Sequence, residues 1–458
     1  MTTSKSHSLR SMLADRAFLK VLVSLTLPMV AQNLISLATQ MMDSVMLGAV
    51  GQTQLSASSL ANQPFFIFNL LIFGLASGAC ILNAQYWGKG EIQPIKIIIA
   101  MVVKVAMVVG LLLMLAVLIF PETVMKIYTP DPEVIASGAS YLRIVGWSYV
   151  LFGLSSTLLC TLRSVAIVRI AVVNSITGLV VNIFLNWVFI FGNLGAPQMG
   201  IEGAALATLI ARTTEFLLVG CYVFFIDKRL GMRPRDFLGF DTALFRDYLK
   251  NGLPVACNEV LWSVGISVQT MILGRLGTHV VSASQIASVV NQFSTVVIFG
   301  VANAAAVIVG NAVGAGDMET AAQRIGWFRR LSVVMGILAA GVILLIRDPA
   351  VSFYNVPEET KLLARDMLAV LAIIVCFVSI TGVGIVGLLR GGGDPRFALF
   401  CDLSSLWIVA VPAGLLAAFV FHAPVLLVYA MTKLDEPVKV ALLTWRMRND
   451  HWIKNVTR

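Results

Sequence analysis

Apolar residues run along this chain in blocks of twenty or more, each long enough to cross the hydrocarbon core of a bilayer as a helix. Turn residues or charges separate twelve such blocks, and they predict spans at 18–46, 54–86, 92–120, 134–162, 167–191, 200–226, 246–273, 281–312, 325–346, 361–389, 397–421 and 424–446. The fold class is an all-α polytopic membrane protein. In lipid the backbone must satisfy its own hydrogen bonds, and separate apolar blocks of this length do so as helices. The last block is the weakest, because Lys433, Asp435, Glu436 and Pro437 interrupt it. The first block follows a mostly polar stretch, 1–16, and is too long for the apolar core of a signal peptide, so it is expected to be retained.

Composition narrows the class further. Of 458 residues, 58% are hydrophobic and only 12% charged, too few charges to cover a water-exposed surface. A soluble enzyme, a secreted disulfide scaffold and a disordered tail are excluded. The net charge of +9 resides in short basic clusters between spans. With an even number of spans, one side of the membrane collects both termini and Lys89, Lys96, Arg163, Arg169, Lys228, Arg229, Arg233, Arg235, Arg324, Arg329, Arg330, Arg390 and Arg396. That asymmetry predicts cytoplasmic termini and a multi-pass protein of the cytoplasmic (inner) membrane, with lipid head groups rather than nucleic acid as the anionic partner. The six cysteines stand singly, without a C-x-x-C, and read as core-packing residues.

Self-comparison reveals a repeat. A shift of 226 residues carries Leu27-Pro28 onto Leu253-Pro254, Leu47-Gly48 onto Leu273-Gly274, Ser56-Ala57-Ser58 onto Ser282-Ala283-Ser284, Ile72-Phe73-Gly74 onto Ile298-Phe299-Gly300, and Gly88 and Gly90 onto Gly314 and Gly316. After one inserted residue Arg163 meets Arg390 and Arg169 meets Arg396. The repeat predicts an N-terminal six-helix lobe at 1–226, a cytoplasmic linker at 227–251 and a C-terminal six-helix lobe at 252–458. Six spans per repeat make the halves parallel about an axis along the membrane normal, the architecture of alternating-access transporters. Within the linker, Phe245, Tyr248 and Leu249 suit an interfacial amphipathic helix.

Ionisable groups inside spans are costly and call for a role. Asp43 in span 1 and Glu259 in span 7 are candidate carboxylates for binding and releasing a proton or Na+. Arg212 and Glu215, three apart in span 6, read as a self-neutralising pair. Asn182 and Asn186 are four apart in span 5, so both amides face one way, either as interhelical partners or as neutral ligands near Asp43. Pro28 and Pro254 each remove a backbone donor within a long helix and are candidate bending points. Methionines 29, 41, 42 and 46 with Phe65, Phe66 and Phe68 form an apolar stripe, readable as core or as a soft, adaptable pocket. Nothing matches a Walker A loop, a nucleophile elbow or a zinc motif, so the chain reads as no enzyme and as needing no cofactor beyond a coupling ion.

These residues resemble the multidrug and toxic compound extrusion (MATE) family over nearly the whole length. The resemblance rests on the early Leu-Pro, the run Met41-Met-Asp-Ser-Val-Met-Leu-Gly48, the segment Asn182 to Gly192, the segment Gly200 to Arg212, Leu273-Gly-Arg-Leu-Gly277, and the terminal Lys433-Leu-Asp-Glu followed by Trp452 to Arg458. It is closest to the prokaryotic branch related to DNA-damage-inducible transporters. The resemblance implies twelve helices in two lobes and export of amphipathic organic cations in exchange for H+ or Na+, by a protein expected to act as a monomer. It implies that Asp43 couples cation binding with Asn182 and Thr208 as polar partners and possible Na+ ligands. Asn186 stands where that branch often carries a second aspartate, and Glu259 resembles the helix-7 acid of other branches. The helix-10 acid of those branches is missing, with Ser379 near its place. Gln40, Met29, Trp262 and Asn291 are the candidate substrate contacts. A lipid-linked oligosaccharide flippase of the same superfamily is the related alternative; a membrane-embedded enzyme or passive channel is the alternative from another class. A major-facilitator transporter is disfavoured because the connection after span 2 reads Gln-Tyr-Trp-Gly-Lys-Gly-Glu.

Overall fold

The computed structural model describes residues 9–354, 356–448 and 452–458; the polar stretch 1–16 begins outside them. Every regular element among the described residues is helical. The principal helices are α1 (Arg16–Val50), α2 (Thr53–Lys89), α3 (Ile92–Ile119), α4 (Pro132–Val145 with Ser148–Ser164), α5 (Arg169–Phe191), α6 (Ile201–Ile226), α7 (Thr242–Gly274), α8 (His279–Gly314), α9 (Met318–Ser352), α10 (Glu358–Leu389), α11 (Pro395–Val420) and α12 (Val425–Met431 with Asp435–Arg446).

Two predicted spans are not continuous helices. The span predicted at 134–162 is bent by 54° within α4. The bend falls at Gly146, a poor helix former, whose bare Cα sits against Val117 and Leu118 of α3. The span predicted at 424–446 stops at Met431 and restarts at Asp435. Asp435, Glu436 and Pro437 occupy the new first turn, where carboxylates meet the positive end of the helix dipole and proline forfeits no helical bond. The interfacial helix expected around Phe245 is also different: these residues form the first turns of α7, and Tyr248 is buried with its hydroxyl donating to the Leu75 carbonyl at 3.2 Å.

The described residues pack into two compact units, one drawn from 9–30, 84–90 and the described part of 257–458, the other from 31–83 and 91–256. It passes between them at Val30 and again at Ala256, positions 226 residues apart and two beyond Pro28 and Pro254. These units therefore differ from the sequence repeats in the first part of α1, the end of α2 and the first part of α7. Helices α1 and α7 run on through their prolines, which leaves the carbonyls of Ser24 and Lys250 without a helical donor.

In the first unit the end of α2 crosses the end of α8 with repeat symmetry. Gly88 lies on the backbone of Asn311 and Gly314 lies on the backbone of Gln85, so a methyl group on either glycine would overlap the opposing chain. Gln85 and Asn311 are themselves repeat mates. Segment 452–458 is fastened to this crossing: the Gln85 amide donates to the Lys454 carbonyl at 3.1 Å and accepts from the Val456 N–H at 2.7 Å, while the Lys454 N–H donates to Gly392 at 2.7 Å. Trp452 is buried against Gly392.

The crossing predicts a paired outcome in thermal melts of the detergent-solubilised protein. Gly88→Ala is expected to destabilise by about 1–3 kcal/mol, because the added methyl forces backbones apart. Gly341→Ala, mid-helix with open space around it, is expected to be neutral or stabilising by up to about 1 kcal/mol. Equal melting temperatures for the two variants would contradict the close crossing.

Candidate ion-coupling site

Three helices of the second unit bring the predicted N-terminal site together. Gly203 of α6 rests on the backbone of Phe189 in α5, which draws those helices close, and Gly192 closes the turn between them with φ 75°. Across that contact Asn182 and Asn186 point inward and are buried. Asn186 Nδ2 donates to Asp43 Oδ1 of α1 at 2.6 Å and faces Asn182 Oδ1 at 3.2 Å; Asn182 Nδ2 reaches Thr208 Oγ1 of α6 at 3.5 Å. Asp43, Asn186, Asn182 and Thr208 thus form one polar string. The one-turn spacing placed both asparagines on one helix face in the sequence, while Thr208 entered only through the family resemblance.

Charge is distributed unequally around the string. Arg212 pairs with Glu215 at 2.7 Å, as their spacing predicts, and lies 5.0 Å from the centre of the Phe152 ring. Glu215 rests over Gly178 of α5. Asp43 has no such partner: among the described residues it forms no ion pair, and an amide is its closest polar contact. The carbonyl oxygen of Asn186 is buried without a donor. One carboxylate with neutral amide and hydroxyl oxygens is a hard-ligand set whose charge suits a proton or a monovalent cation.

Sequence reasoning missed two residues beside this string. Tyr141 of α4 lies 3.4–3.5 Å from the Asn62 side chain, and the same hydroxyl faces Thr208. A tyrosine in a bent span gives no periodic signal that would single it out.

The remaining predicted residues are dispersed. Glu259 lies in the first unit and pairs with the buried Arg390 at 2.8 Å, so its charge is already met. Ser379 is buried, donating to the Ser332 carbonyl at 2.7 Å. Met29 is buried in the first unit, Trp262 packs against Leu406, Ala410 and Val411, and Asn291 has a buried carbonyl oxygen without a donor. Gln40 is exposed on the second unit.

Comparison with known proteins follows the same repeat. The MatE family model matches residues 28–188 and 254–416, two segments that begin on Pro28 and Pro254. The multidrug resistance protein NorM of Aliivibrio fischeri is 26% identical over 395 residues, covering 86% of this chain and 85% of the relative. The multidrug resistance protein PmpM of Pseudomonas aeruginosa is 25% identical over 403 residues, covering 87% and 84%. A solved outward-facing structure of a multidrug resistance MATE family transporter of the MOP superfamily superposes with a TM-score of 0.84 at 18% identity, covering 94% of this chain and 95% of that one.

Adding a second carboxylate to this site has a defined consequence. Asn186→Asp places a charge beside Asp43 and is expected to tighten Na+ binding about tenfold, since each tenfold corresponds to about 1.4 kcal/mol. Sodium titration of the purified variant, followed by calorimetry against the parent, measures it.

Proposed function

Because this chain belongs to the MATE family, twelve helices in two six-helix lobes, we propose that it is a secondary antiporter exporting amphipathic organic cations from the cell in exchange for H+ or Na+. The observation that carries the coupling reading is Asp43: a half-buried carboxylate in a membrane helix, held by an amide at 2.6 Å and without an ion pair among the described residues, since Arg212, the base that acts on it, is paired with Glu215. A carboxylate in low dielectric disfavours its bare charge and takes up a proton or cation when one is accessible. Discharging that ion on the other side of the membrane links its gradient to the conformation of the protein, and ligands move such an equilibrium only through unequal affinity for its states. Asn186, Asn182 and Thr208 orient the carboxylate and offer oxygens to a dehydrated ion. Gln40, Met29, Trp262 and Asn291 are the proposed contacts of the organic cation, and Pro28 and Pro254 the proposed bending points.

The basic loops favour the cytoplasmic membrane with both termini inside, and the protein works as a monomer with lipid as its only obligatory neighbour. No residue transforms the cargo.

Transport into inverted vesicles tests the reading. Wild-type protein is expected to accumulate ethidium or a similar organic cation when a proton or Na+ gradient is imposed, and to stop when the gradient collapses. Asp43→Asn, expressed and folded normally, is expected to lose gradient-driven accumulation by at least about tenfold, the consequence of removing the group that exchanges charge. Wild-type rates in that variant would overturn the coupling role.

A further inference from the structure

Helices α11 and α12 of the first unit enclose a second charged cluster that the sequence reading did not assemble. The ammonium of Lys439 lies 3.2 Å from Asp402 Oδ1, 2.7 Å from Asp435 Oδ2 and 3.0 Å from Glu436 Oε1. Asp402, Asp435 and Lys439 are buried. The outer oxygens continue the network: Asn258 Nδ2 of α7 donates to Asp402 Oδ2 at 2.9 Å, and Thr381 Oγ1 of α10 lies 2.5 Å from Glu436 Oε2. Asn258 is 3% exposed, and its own carbonyl oxygen is buried with no donor.

The charges do not balance. Three carboxylates surround one ammonium, a net of two negative charges; Lys433 on the preceding turn, which donates to Gln269 at 3.2 Å, reduces the surplus to one. Glu259, the residue after Asn258 in α7, and Arg390 neutralise each other. Cys401, next to Asp402, only contacts the Lys439 carbonyl. An unneutralised charge is costly to keep within a membrane.

We propose that this cluster binds one proton, carried by Glu436. The ammonium of Lys439 already fills the point where the three carboxylates converge, which leaves no room for a metal ion there, and a proton requires none. Protonation also completes the hydrogen bonding. Thr381 has a single hydroxyl hydrogen and two acceptors, Glu436 Oε2 and the Val378 carbonyl at 3.2 Å. With the proton on Glu436 Oε2, the acid donates to Thr381 Oγ1 and the threonine hydrogen passes to Val378, while Lys439 keeps all three of its carboxyl partners.

Infrared spectroscopy reads the proton directly and needs no transport, so its outcome is separate from that of the antiport reading. Protein in lipid nanodiscs, in an Asp43→Asn background, is expected to show a protonated carboxylic-acid carbonyl band at about pH 7, where an ordinary carboxyl is ionised. Glu436→Gln is expected to abolish that band. Thr381→Val, which keeps the acid and removes its hydroxyl partner, is expected to shift the band's frequency and serves if Glu436→Gln does not fold. Absence of the band in the parent, its survival in Glu436→Gln, or an unmoved frequency in Thr381→Val would overturn the assignment.

Discussion

Hydrocarbon admits a charged side chain only on terms set by its neighbours, and this protein meets those terms in three ways. Arg212 with Glu215 and Glu259 with Arg390 are closed pairs, each with a contact below 3 Å. Lys439 is a cation with more carboxylates than it can neutralise. Asp43 forms no ion pair among the described residues and is hydrogen-bonded by an amide, with the guanidinium of Arg212, already paired to Glu215, as the charge in its surroundings. Removing one partner from a closed pair leaves an uncompensated charge at a cost of about 3–5 kcal/mol, so such pairs favour a fixed structure. A lone carboxylate changes state when a proton or cation reaches it. The proposed coupling role of Asp43 rests on this difference in pairing.

Close approach of helices is the second condition, because lipid supplies little hydrophobic drive for helices to associate and packing must do so. Glycine at the contact solves this for α5 with α6 at Gly203 and for α2 with α8 at Gly88 and Gly314. The first of these contacts brings the two asparagines of α5 within reach of Thr208. The second makes a crossing onto which Gln85 fastens the segment that follows Trp452.

The twelve spans were legible because a twenty-residue apolar block has few other fates in a chain this poor in charge. The break in the last block was marked by Lys433, Asp435, Glu436 and Pro437, whereas the bend at Gly146 was not, because it depends on a single glycine inside an apolar block. Asp43 and its asparagines were readable from the spacing of Asn182 and Asn186 on one helix face. Arg390 was not readable as the partner of Glu259, since 131 residues separate them and no local pattern links the two. Asp402 escaped notice for a similar reason: it sits alone in its span, and its partner Lys439 lies in the block already marked as irregular.

The repeat explains why the two halves share a frame and differ in chemistry. Val30 and Ala256, where the chain changes packing unit, are repeat mates, as are the glycines of the α2–α8 crossing, so backbone geometry follows the duplication. Carried forward in the register that sets Arg163 on Arg390, Arg212 falls on Lys439 and Thr208 on Asp435. Both halves thus keep a basic residue on the last helix of the repeat. In the first half one glutamate satisfies it and the adjoining position is a neutral threonine beside the string from Asp43; in the second half that position is itself an acid, and two more acids crowd the same ammonium. Asp43 in turn corresponds to Gln269, which accepts a hydrogen bond from Lys433 and has no charge to exchange. Backbone packing thus follows the repeat, while the carboxylates not matched by bases stand on the first helix in one half and on the last helix in the other.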